Sequence, residues 1–191
     1  MLDFIAFMTI ILWPVIPLFW IPVHGLSRIF KKLGLLTFVM PLFTWLPLAY
    51  FIFSNKALLL SWKIDVPSGL RAMGFILSVL GTALHIWTGK LLGLWGLIGL
   101  PEISRRMKGH LITKGPFSIV RHPTYLAHTM IFSGVFLITG AVAVGFITFI
   151  DVLLVYALII PLEEKELSNR FGNDYNLYKK KVPKFLPGFH F

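Results

Sequence analysis

The chain has 191 residues, of which 57% are hydrophobic and 15% aromatic, and only 14% are charged. Soluble domains carry about 25% charged residues, so the composition excludes an ordinary water-soluble domain and points to one membrane-embedded domain. The net charge of +10 sits in short loops between apolar stretches, which suits anionic lipid headgroups and argues against a nucleic-acid partner.

There is no cysteine. Disulfides, zinc-thiolate sites, iron–sulfur clusters and a cysteine nucleophile are excluded, and no metal is expected. The first residues, Met1-Leu2-Asp3, lack the basic start of a cleaved leader, so the first apolar run is expected to be a retained helix.

An all-α, multi-pass protein with about five membrane helices follows from five apolar segments, each near the roughly 20 residues a bilayer requires. They are Leu2 to Val23, Leu33 to Ser54, Leu70 to Trp87, Pro123 to Thr139 and Ala141 to Pro161. Residues 1–70 hold only transmembrane helices, and 71–191 carry the polar residues able to do chemistry. Arg28, Lys31 and Lys32 follow the first segment, and Lys90, Arg105, Arg106, Lys108, Lys114 and Arg121 follow the third. The turn near Gly140 has no basic residue, while the tail carries Lys179 to Lys181 and Lys184. This alternation predicts the N-terminus outside and the C-terminus in the cytoplasm.

The polar residues form two groups. One is His110-Leu111-Ile112 with Gly115-Pro116-Phe117 and Arg121-His122-Pro123-Thr124-Tyr125; the other is Glu163-Glu164, leading to Phe171-Gly172, Tyr175 and Tyr178. The fourth and fifth segments form a tight hairpin about Thr139-Gly140, so residues equidistant from the turn share a depth. That rule sets Glu163-Glu164 level with Gly115-Pro116, and His128 level with Asp151. Pro123 suits the first turn of a helix, leaving Arg121 and His122 at its positive end, where an anion such as a carboxylate is welcome. The glutamates suit an ammonium group, and Phe117, Tyr125 and His110 offer faces for a purine or a soft cation. A ligand with a carboxylate, an ammonium, a sulfonium and an adenine would use all of these, as S-adenosylmethionine does.

These spaced motifs resemble the integral-membrane isoprenylcysteine carboxyl methyltransferases and related phospholipid methyltransferases, over about residues 82–191. The resemblance implies S-adenosylmethionine as cofactor at the cytoplasmic face, with a lipophilic or lipid-modified acceptor entering from the bilayer. It implies a cofactor pocket lined by His110, Leu111, Ile112, Gly115, Pro116, Phe117, His122, Pro123, Tyr125, Glu163 and Glu164, with Arg121 and Glu164 in the catalytic roles. There is one departure. Prenylcysteine-type members carry arginine four residues before the first glutamate, where this chain has Ile159.

Other polar residues receive structural readings. Glu166 pairs with Arg170 at i,i+4 on a solvated face; Lys179 to Lys181 anchor headgroups; His24, His85 and His190 have no evident partner. Gly93, Gly96 and Gly99 read as a close-packing or re-entrant run. Asp151, in mid-span, needs a partner, and a pair with His128 joining two helices is expected. Two rival functions are an NADPH-dependent sterol reductase and a non-enzymatic membrane assembly factor. Thr124 and Ala127-His128 stand where the reductases carry asparagine and Gly-Glu or Gly-Asp, which counts against reduction.

Overall fold

The computed structural model describes residues 1–104 and 109–188. Arg105, Arg106, Lys108 and His190 lie outside the described residues.

The apolar segments form helices, several broken where proline or glycine dictates. Helices α1 (Leu2–Leu12) and α2 (Val15–Gly25) make one span interrupted beside Pro14, which has no N–H to continue the ladder. Helix α3 (Ser27–Leu33), a 3-10 stretch (Gly34–Val39) and α4 (Met40–Ser54) make the second span. A short α5 (Lys56–Ser61) leads to α6 (Ser68–Leu97), then α7 (Leu100–Ile103). The third segment is thus longer than its apolar stretch to Trp87. Helix α6 continues through Lys90 and breaks at Gly93 (φ 68°, ψ 170°), so the glycine run is a bend in the chain.

Helices α8 (Pro123–Thr139) and α9 (Val142–Leu154) form the expected hairpin, turned at Gly140 with φ 67°. A Cβ at Gly140 would lie 2.3 Å from the Ile64 carbonyl oxygen. A π-helical turn (Val155–Ile159) joins α9 to α10 (Ile160–Phe171), and α11 (Asn173–Lys181) follows a glycine corner at Gly172, φ 58°. Among the described residues, four spans are long and apolar enough to cross a membrane. The fifth expected span, α8, has 17 residues, about 26 Å at 1.5 Å per residue, just short of the usual ~30 Å core.

The most extensive helix pair is α6 with α8. Its backbones meet at Gly74, Gly81 and Gly134, where an added Cβ would lie within 3 Å of the facing helix; small residues allow such approach in membranes. One buried cluster gathers Ala6, Ile10 and Ile52 with Val135, Val144 and Ile147. The segments before and after residue 70 therefore share a core. The large residues left exposed, among them Phe43, Tyr50, Phe75 and Val79, suit lipid contact.

Asp151 has a different partner from the one expected. Its Oδ1 accepts the indole N–H of Trp13 at 2.8 Å, while the His128 ring lies against His85, centroids 4.7 Å apart. Helices α8 and α9 thus present His128 and Asp151 to different neighbours.

Candidate active site

Four segments converge at one end of the bundle: the chain 110–122, the start of α8, α10, and α11 with residues 182–184. Gly115 (φ 62°) opens a 3-10 turn (Gly115–Ser118), and an added Cβ would press on Leu91 at 3.0 Å. Pro116 is buried in this turn. Pro123 takes the first turn of α8, as its missing N–H allows.

Arg121 is the hub. Its side chain is 4% exposed, and Nη2 lies 2.6 Å from Glu164 Oε1. Its Nε donates to the same oxygen at 2.8 Å, and Nη1 donates to the carbonyls of Lys179 and Val182. The backbone N–H groups of Arg121 and His122 donate to the carbonyls of Pro183 and Lys184. Tyr178 adds a hydroxyl bond to the Phe117 carbonyl at 2.6 Å. The groups expected to welcome an anion are therefore engaged in strapping the C-terminal segment across the 115–122 chain.

The glutamates divide. Glu164, 6% exposed in its side chain, faces Arg121 and His122 and takes Lys179 Nζ at 2.7 Å. Lys179 is thus an ion-pair partner rather than a headgroup anchor alone. Glu163 stands 3.3 Å from His122 Nδ1 and remains 23% exposed. Burial alone would lower the His122 pKa, but the facing carboxylates of Glu163 and Glu164 outweigh it and hold the imidazole above its ordinary 6.5. Burial pushes the Tyr175 and Tyr178 hydroxyls up, so both stay neutral; Tyr178 donates to Phe117, whereas the Tyr175 hydroxyl has no partner.

Beside this knot lies a cavity of about 840 Å³, toward the upper end of small-molecule sites, about 300–1,000 Å³. Of the residues expected at the site, His110, Leu111, Ile112, Phe117, Arg121, His122, Tyr125 and Glu163 line this cavity, and Gly115, Pro116, Pro123 and Glu164 are not among its lining residues. Sequence reasoning missed Trp20, His85, Trp95, Glu102, His128 and Arg170, which also line it. For His85 and His128 there was a signal, because an ionisable residue inside an apolar span marks function by default. Trp20 carried none, since only tertiary packing brings α2 here.

Glu166 is a correction. It pairs with Arg170 at 3.1 Å, and with Lys31 at 3.1 Å, but is 4% exposed and inside the fold. Arg170 also holds Glu102 at 2.8 Å, which closes the cavity near α7. Ile159, where prenylcysteine-type members carry arginine, is fully buried among Tyr125, Val155 and Ile160. His24 stacks on Trp20 with centroids 5.1 Å apart and has both ring nitrogens unpaired, in keeping with a packing role.

The chain resembles several characterised proteins at modest identity. A cobalt-zinc-cadmium resistance protein of Cupriavidus metallidurans is 28% identical over 112 residues, covering 53% of this chain and 51% of the relative. A methanethiol S-methyltransferase of Bradyrhizobium diazoefficiens is 28% identical over 133 residues, 66% of this chain and 45% of that protein. A protein-S-isoprenylcysteine O-methyltransferase of Schizosaccharomyces pombe is 32% identical over 85 residues, 44% and 36% of the two chains. The chain spans about half the length, or less, of these curated relatives. Residues 70–174, more than half of the sequence and including most of α6, all of α8 and both glutamates of the site, match the phospholipid methyltransferase family profile, and the chain belongs to that membrane family.

Proposed function

We propose that the protein is an S-adenosylmethionine-dependent methyltransferase acting on a lipophilic acceptor. The observation that carries this reading is the cavity itself, which joins a polar end to an apolar one. At the polar end, Glu163 presents a partly exposed carboxylate for an ammonium, and Arg170 and Arg121 edge the same space. Phe117, Trp20 and Tyr125 supply aromatic faces for a purine or a sulfonium. None of these contacts calls for breaking the Arg121–Glu164 ion pair.

When bound, S-adenosylmethionine supplies an electrophilic methyl group. The chain's own residues then have to hold the acceptor close and exclude water. Leu91, Leu92 and Trp95, at the bent end of α6, form an apolar side of the cavity, and Trp95 is 55% exposed on the outer surface. That side suits an acceptor sliding in from the bilayer. The basic segments carrying Lys31 and Lys179 meet the site through Glu166 and Glu164, and the positive-inside rule puts this end in the cytoplasm.

Arg121 and Glu164 act in this reading as positioning residues, with Glu163 and His122 facing the cofactor. The test is equilibrium binding of labelled S-adenosylmethionine to the protein in lipid nanodiscs. Wild-type protein should bind, and Glu163→Gln should weaken binding by about 10- to 150-fold, the worth of a charge-assisted hydrogen bond of ~1.5–3 kcal/mol. Binding of NADPH in place of S-adenosylmethionine, or unaltered affinity in Glu163→Gln, would reject it.

A further inference from the structure

Two histidines that the proposed cofactor contacts do not use face each other within the cavity. His128 lies on α8 five residues beyond Pro123, roughly 7.5 Å deeper along the helix. His85 reaches it from α6, the rings 4.7 Å apart and tilted by 46°. Both line the cavity. Each has a buried Nδ1 with no hydrogen-bond partner, at a depth where an unmatched polar group is costly. Two imidazoles that line a ligand cavity, each with an unpaired ring nitrogen, are suited to a ligand that donates a hydrogen.

We propose that His128, positioned by His85, accepts the proton of a neutral thiol acceptor, so that the site methylates a lipophilic thiol. This rests on the methyltransferase reading and deepens it. A carboxylate acceptor arrives as an anion and needs no base, whereas a thiol does. A thiol, with a reference pKa of about 8.5, yields its proton to an imidazole more readily than an alkylammonium at about 10.4 does. The other charged groups on the cavity are already tied to partners, Glu102 to Arg170, Glu163 to His122 and Arg121 to Glu164. His110 and Lys114 stand on its exposed rim. Buried Ile159 gives a carboxylate acceptor no countercharge at that position.

The balance is simple. The S–H bond breaks, its electron pair stays on the acceptor sulfur, and the proton passes to a ring nitrogen of His128. That pair forms the new S–CH3 bond as the donor's sulfonium C–S bond breaks, its electrons returning to the donor sulfur. The proton leaves for water after the products depart.

The test separates this idea from the parent reading. His128→Gln should leave the S-adenosylmethionine dissociation constant within twofold of wild type. It should lower kcat for a long-chain alkanethiol by about 10²- to 10⁴-fold at pH 7, the usual worth of a general base. The loss should shrink to within tenfold near pH 9.5, where the thiol ionises unaided. His85→Gln should give a smaller loss with the same recovery. An equal loss at both pH values, or faster turnover of amine or carboxylate acceptors than of the thiol, would overturn the proposal. Failure of wild-type protein to bind S-adenosylmethionine would instead overturn the parent reading. Nitrogen NMR of histidine-labelled wild-type protein supplies a readout without turnover, and it stands even if the variants do not fold. The His128 signals should move toward the imidazolium position when the alkanethiol binds beside demethylated cofactor, and unmoved signals would refute the assignment.

Discussion

Glu164→Gln tests the ion-pair knot most directly, because the structure sets the size of the effect. The glutamate and Arg121 side chains are 6% and 4% exposed, so they pair almost out of water. Removing one charge leaves the other buried, at a typical cost of ~3–5 kcal/mol. Glutamine keeps an oxygen in place for Arg121, so the expected loss is about 3 kcal/mol. Lys179 offers an internal control. It meets the same carboxylate at 2.7 Å but is 46% exposed, and screening limits such a pair to ~0–1 kcal/mol. Lys179→Met should therefore lose under 1 kcal/mol. Denaturant unfolding in bicelles measures both, and trypsin cleavage around Lys179 to Lys184 reports opening of the strap. Arg121→Met and Glu164→Gln together should cost less than their sum. A loss under 1 kcal/mol from Glu164→Gln, with strict additivity, would refute the buried-clamp account.

The pKa of His122 is raised by the facing carboxylates, so its contribution to stability is full below about pH 6.5 and is lost as pH rises through the higher folded value. Unfolding free energy of wild type relative to His122→Gln should fall across that window; a difference growing with pH would contradict the assignment. At Gly134, an added Cβ would sit 2.3 Å from Ser78 Oγ and 2.6 Å from the Gly74 carbonyl, whereas at Gly69 nothing lies within 4 Å. Gly134→Ala should cost ~1–3 kcal/mol through overpacking and Gly69→Ala should be neutral or slightly stabilising, and the opposite ranking in the same unfolding assay would show that α6 and α8 do not meet as described.

Much of this fold can be read in the chain because the bilayer forces long apolar runs into helices. The depth rule at the Thr139-Gly140 turn set Glu163 and Glu164 level with Gly115-Pro116, whereas in the structure they meet His122 and Arg121, because the chain before Pro123 does not continue the α8 helix. It failed for Asp151, because equal depth does not fix helix azimuth, and a distant indole, Trp13, fills the gap. The end of α6 was hidden because Lys90 and the glycines dilute its apolar pattern, yet helix persists to Leu97 with a break at Gly93. Glu166 looked solvent-facing because its i,i+4 arginine pair is also what an exposed helix shows. Only the arrival of Lys31 from α3 and Glu102 from α7 reveals that face as interior.

The strap also sets a timetable for biosynthesis. The partners that neutralise and hydrogen-bond Arg121 lie between 43 and 61 residues further along the chain. At about 5–20 residues per second of synthesis, the guanidinium waits roughly 3–12 s before Val182 exists. During that interval the start of α8 has to keep Arg121 in water or among headgroups. The hairpin of α8 and α9 can enter the bilayer first, but the cavity wall built on Arg121 closes only when the last helix folds back. Assembly of the cavity end is thus a late, post-insertion event, and a nascent chain stalled before residue 164 lacks the Arg121–Glu164 clamp.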